Sequence, residues 1–198
     1  MKKTFSILIL LFLAIQGLGQ SLRSGRYDAG FNIAYNRVTK QLTGAYENYT
    51  GFDDQTGRPL FSCIFYLKGT GTPPVFQVNT FYPDQPQDSI EGQLVVLNDS
   101  TFTLQLYEEH GGCWNVQHFK EVPVQFSLAA PANWIQISYV KADKTYFYSD
   151  RALDKKLKTY LVKNDLVQVE EISNEWAYCS FIGEKTTKGW IRRNDLNQ

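Results

Sequence analysis

Beyond its first fifteen residues, this 198-residue chain contains no apolar run long enough to cross a bilayer as a helix, which takes roughly 20 residues. Helical periodicity is almost absent from the same stretch, which argues against helical bundles and crossover folds. No G-x-S-x-G elbow, phosphate-cradling glycine loop or H-E-x-x-H pair occurs. The common serine-hydrolase, nucleotide-dependent and zinc-peptidase readings therefore have no motif to stand on. An excess of positive charge is missing too. Of 20 basic side chains, Lys2 and Lys3 lie in the N-terminal segment, which leaves 18 against 20 acidic ones, a net charge of −2. That balance supplies no counterion-release drive toward nucleic acid and no basic patch for anionic lipid. Methionine is confined to Met1, and the apolar content sits in rings instead: Phe 13, Tyr 12, Trp 4. Such a bias suits pleated sheets, where aromatic and β-branched side chains pack across strands.

The N-terminus has the pattern of an export signal. Lys2 and Lys3 give a short positive region, and Phe5 to Ile15 an apolar run of signal-peptide length. Gly17 and Gly19 supply small residues for cleavage after Gly19, so residues 1–19 are expected to leave and Gln20 to become the new terminus. No cysteine follows the run to accept a lipid. The alternative is an uncleaved N-terminal anchor. Either way the remaining chain is expected in the periplasm or outside the cell.

Short runs closed by Gly, Pro, Asn or Asp fill the next 120 or so residues. Strands are expected over 26–35, 42–49, 60–67, 75–81, 91–97, 101–107, 122–128 and 134–140. Phe61, Cys63, Phe65 and Leu67 fall on one face of the third run. Phe102, Leu104 and Leu106 alternate with Thr101, Thr103 and Gln105, the period-two pattern of a half-buried strand. Gly44 marks a bulge or a close approach. About eight strands without crossover helices predict an all-β, antiparallel β-barrel or sandwich over residues 20–140. The run Leu42-Thr43-Gly44-Ala45-Tyr46 resembles the second-strand motif of avidin-like and other calycin barrels, and that resemblance implies a barrel. An eight-stranded barrel is either filled by side chains or holds one small ligand.

From about residue 141 the pattern changes. Leu161 to Val169, Glu175 to Phe181 and Lys188 to Leu196 form three ordered motifs. Together they resemble the bacterial SH3 (SH3b) domain over residues 141–198. Asn164 stands where that family usually has Gly, and Cys179 where it has Val. Asn can still adopt the left-handed conformation such a turn requires. Ala177, Cys179 and Phe181 alternate with Trp176, Tyr178 and Ser180, so one face of this run is apolar. The resemblance implies a small SH3-like barrel that docks onto cell-wall glycan or peptide, with Trp190 in its core. The segment is expected to fold by itself.

Cys63 and Cys113 lie in the first domain of a chain expected to be exported, where a disulfide is the natural pairing. The alternatives are two free thiols or a metal site at His110, Cys113 and His118, whose H-x2-C-x4-H spacing is unlike the usual paired zinc patterns. Cys179 is expected as a buried, inert thiol. His110 beside Cys113 also invites a nucleophile–base reading, but the cysteine peptidases that accompany SH3b domains carry their Cys in an Asp-Cys-Ser context opening a helix, and this chain has neither. Asp53 and Asp54 are adjacent in a loop and read as solvated charges. Trp114, next to the expected disulfide, reads as packing.

No catalytic residue, metal or cofactor is expected. The candidate ligand-binding residues are Tyr146, Tyr148, Trp176 and Tyr178, rings with polar tips that could flank a groove and stack on sugars or peptides. The reading is an exported, non-enzymatic binding protein whose partner is a cell-wall component or an extracellular protein or peptide. Two rivals remain: an inhibitor or immunity-type protein that blocks a secreted enzyme through the first domain, and a small-molecule carrier using the barrel interior.

Overall fold

A computed structural model describes residues 21–197. The expected signal segment and its cleavage site lie outside the described residues. No helix among the described residues is long and apolar enough to cross a membrane.

The first eight strands are β1 (Gly25–Tyr27), β2 (Phe31–Asn36), β3 (Gln41–Phe52), β4 (Pro59–Thr72), β5 (Val75–Tyr82), β6 (Gln85–Asn98), β7 (Thr101–Leu106) and β8 (Val124–Pro131). Each pairs antiparallel with its neighbour in sequence, and β1 returns to β8 to close the barrel. The expected first strand over 26–35 is in fact two. A turn at Asp28–Gly30 breaks it, with Ala29 at φ 51° and Gly30 at φ 85°, and the short piece before the turn is the strand that closes the sheet. Alternation carries the rest. Phe102, Leu104 and Leu106 are buried on β7, while Thr101, Thr103 and Gln105 are half-buried. At Gly44 a Cβ would meet Ile33 Cδ1 at 2.8 Å and Asn32 O at 2.9 Å, so the glycine serves close packing.

The barrel interior is filled with rings. Phe31 touches Tyr46, Phe65, Phe102 and Phe126, with centroids 4.9–6.1 Å apart. Phe119, from the segment between β7 and β8, adds a buried ring against Tyr46 and Phe65. The Cys63–Cys113 disulfide ties this segment to β4, across a sequence separation of 50 residues. In the loop-entropy model such a bond contributes roughly 4 kcal/mol. Phe61, expected to share the inward face with Cys63, stands opposite Thr50 where β4 pairs with β3 but no longer with β5, and it is exposed.

The second sheet comprises β9 (Gln136–Tyr139), β10 (Lys144–Tyr148), β11 (Lys156–Val162), β12 (Leu166–Ser173), β13 (Trp176–Ile182) and β14 (Thr186–Arg192), in the antiparallel order β11-β10-β14-β13-β12-β9. Its core is small: Val140, Phe147, Leu161, Val167, Val169, Ala177, Cys179, Ile191 and Leu196. Asn164 adopts φ 72° at the turn into β12, the conformation Gly would otherwise supply. The expected boundary at 140/141 falls inside this sheet, because β9 pairs with β12 from Gln136↔Val169 to Tyr139↔Leu166. The strand counted with the first domain is thus the edge of the second.

β9 also lies against the outer wall of the barrel. Ala34, Ala45, Tyr66 and Phe81 from the barrel pack with Trp134, Ile137 and Tyr139 in a buried apolar cluster. The Ile137 amide donates to Thr43 Oγ1 at 2.7 Å, and the Tyr66 hydroxyl donates to Asn164 O at 3.1 Å. Asp84 joins the same junction, accepting from Asn164 Nδ2 at 3.1 Å and pairing with Lys163 at 3.3 Å. Buried rings contribute about 1.5–3 kcal/mol each, so the two sheets hold one another as well as themselves.

Candidate binding face

Antiparallel partners directly opposite one another share a face of a sheet. Tyr148 stands opposite Trp190, and Trp190 opposite Tyr178, so the three form a row across β10, β14 and β13. Ala177 and Cys179 face the core, and period-two geometry turns Trp176 and Tyr178 the other way. Trp176 meets Tyr148 edge-on at 5.0 Å, and Tyr178 meets Trp190 at 5.3 Å. Tyr146 stands opposite Tyr160 on β11, with centroids 6.1 Å apart.

Cations lie over these rings. The Arg151 guanidinium is 5.1 Å from the Trp190 centroid, and its Nη1 donates to Ser173 Oγ at 2.8 Å. Lys144 Nζ lies 3.8 Å from the Tyr160 ring, and Lys156 Nζ 4.0 Å from the Tyr146 ring. Contacts of this kind are worth about 0.5–1 kcal/mol when exposed. At one border, Lys188 pairs with Glu170 at 2.7 Å.

Of the four rings singled out in the sequence, Tyr148, Trp176 and Tyr178 come together, and Tyr146 sits in the neighbouring pair with Tyr160. Tyr148 is only 9% exposed and offers little surface. Trp190 corrects the expectation that it belongs to the core. Gly189 is the buried residue, where a Cβ would meet Tyr148 O at 2.9 Å, and Ile191 faces inward. Trp190 between them faces outward and half-exposed. Sequence reasoning missed Tyr160, Lys144 and Lys156, which cross-strand register brings beside the rings, and Arg151, which the β10–β11 loop brings there.

In the barrel, the H-x2-C-x4-H residues do not converge on a point. Cys113 is bonded to Cys63, and His110 Nε2 lies 2.7 Å from Thr80 Oγ1. His118 is exposed, 3.9 Å from Glu121. His110 is buried, stacked on Phe65 at 4.6 Å, and burial pushes its pKa from 6.5 down to about 4. Thr80 Oγ1 donates to Ile90 O, so His110 Nε2 carries the proton and Nδ1 is a buried acceptor without a partner. Cys179 is fully buried, and burial pushes its thiol far up, with the Glu170 charge adding to the effect. Among the described residues no group of three His, Cys, Asp or Glu side chains is placed to hold a metal ion. Trp114, expected to pack, is 65% exposed.

No protein-family model matches the chain, and neither the curated proteins nor the solved structures yield a match.

Proposed function

We propose that this chain is an exported, non-enzymatic binding protein whose second sheet presents an aromatic and cationic face to cell-wall glycan or peptide. The observation that carries this reading is the outward row of rings, Tyr148, Trp190 and Tyr178 with Trp176 beside it, capped by Arg151. Ring faces stack on the apolar faces of sugars, and their polar tips and the neighbouring cations supply hydrogen bonds. The SH3b resemblance supports the reading, since its motifs fall on β12, β13 and β14. Export is supported by the N-terminal pattern and by the Cys63–Cys113 bond. The ring-filled interior of the barrel counts against the carrier alternative. The test is co-sedimentation of residues 20–198 with purified peptidoglycan. Saturable pelleting that a soluble glycan fragment competes away supports the proposal. A protein that stays in the supernatant at every concentration removes it.

The inhibitor reading has an observation of its own. Phe52, Leu60, Phe61 and Trp114 are exposed at or beyond one end of the barrel, held by an Asn115–Thr50 hydrogen bond and by the disulfide. A tight one-to-one complex with a secreted enzyme, abolished by Phe52→Ser with Trp114→Ser, would favour it.

A further inference from the structure

Where the outer wall of the barrel meets the second sheet there is a cleft of about 400 Å³. It shares no residue with the aromatic face. Its barrel side carries Arg26 on β1, Asn32 on β2 and Glu47 on β3. Arg26 stands opposite Asn32, Asn32 opposite Ala45, and Glu47 two residues further along the same face of β3. Ladder spacings put the Arg26 and Glu47 backbones about 12 Å apart, with both side chains on the cleft side. Opposite charges are thus held across a gap, and among the described residues neither forms an ion pair.

The facing wall is built from the start of β12 and the end of β13. Gln168 is buried, and its side-chain carbonyl accepts from Ser180 Oγ at 3.4 Å. Among the described residues its amide nitrogen is not one of the buried groups left without a partner, and the residue lines the cleft. Asn164 spends its nitrogen on Asp84, and its carbonyl oxygen is buried without a donor. Asp165 lines the same wall, its Oδ2 accepting the Val162 amide at 2.8 Å. Phe181 and Leu166 give an apolar patch between them.

These groups ask for two complementary charges in one small molecule. The buried Asn164 side-chain oxygen is costly until a donor pairs with it. Glu47, Asp165 and the Asn164 carbonyl accept, and Arg26 and the Gln168 amide donate. Burial pushes the Glu47 carboxyl up, an effect that a cation placed beside it offsets. We propose that the cleft binds a zwitterion of amino-acid or dipeptide size. Its ammonium lies between Glu47, Asp165 and the Asn164 carbonyl, its carboxylate against Arg26 and Gln168, and its side chain on Phe181 and Leu166. The volume suits that size and excludes a folded partner.

The test is calorimetric titration of residues 20–198 with leucine and glycyl-leucine, beside N-acetyl-leucine, which lacks the ammonium, and leucinamide, which lacks the carboxylate. At least one zwitterion binds saturably, and each blocked form binds at least about tenfold more weakly. Glu47→Gln and Arg26→Gln each weaken the zwitterion by about tenfold while the melting curve stays in place. Absence of binding by both zwitterions at about 10 mM overturns the proposal, as does equal binding of a blocked form. The ligand series uses the unaltered protein, so the result does not depend on how the variants fold.

Discussion

In the barrel, the rings of Phe31, Tyr46, Phe65, Phe102 and Phe126 face inward and touch. In the second sheet, those of Tyr146, Tyr160, Trp176, Tyr178 and Trp190 face outward, and of the rings only Phe147 is fully buried. One aromatic-rich composition thus serves two ends. A closed barrel has no edge to protect and needs bulk to fill its centre. The smaller sheet fills its core with Val, Ala, Cys, Ile and Leu around the single buried ring of Phe147, which leaves most of its rings on the surface, where they add little stability.

The comparison can be broken most severely at the junction. A fragment of residues 141–198 lacks β9 and with it the pairing partner of β12. We expect it to be unfolded by circular dichroism at a temperature where the whole chain is folded, and a fragment of residues 133–198 to recover strand signal. A folded 141–198 fragment would show that the second sheet stands without its edge.

Next in size is the inward ring. Phe31→Ala removes contacts with four other rings and should cost about 3–5 kcal/mol in urea unfolding. Trp176→Ala, on the outward face, should cost less than half of that. Equal costs would erase the distinction between the two sets of rings.

A third effect, of about 3 kcal/mol, belongs to the barrel alone. The folded pKa of His110, about 4, lies below the ordinary 6.5, so the unfolded chain takes up the proton first. The neutral-His contribution is fully present above pH 6.5 and is lost as pH falls from 6.5 toward 4. Urea midpoints at pH 7 and pH 4.5 should therefore differ, and His110→Gln should flatten the difference.

Much of this was legible in single strands and little of it between them. The alternation of Phe102, Leu104 and Leu106 shows in the sequence and holds in the fold. So does the Cys63–Cys113 pair, since the expected compartment and their position in the first domain already single out those two cysteines. What a local pattern does not contain is the choice of partner. Residues 134–140 look like any short strand, and only the buried cluster with Tyr66 and Phe81 explains why β9 leaves the barrel for the second sheet. For Trp190 the deciding fact is register: Ile191 stands opposite the core residue Ala177, and its neighbour must therefore point outward. Tyr160 and Arg151 had no such signal, because a strand pairing and a loop path bring them to the face.

The smallest expected change in stability goes with the most informative change in binding. Trp176→Ala, followed in parallel by thermal melting and by peptidoglycan co-sedimentation, tests directly whether the outward rings are there to bind. Loss of a stacked ring at a binding hot spot costs about 2 kcal/mol, roughly thirtyfold in affinity. The account predicts that loss with a melting curve close to that of the unaltered protein. Undiminished binding by Trp176→Ala, or a collapse of the fold in place of a loss of affinity, would contradict it.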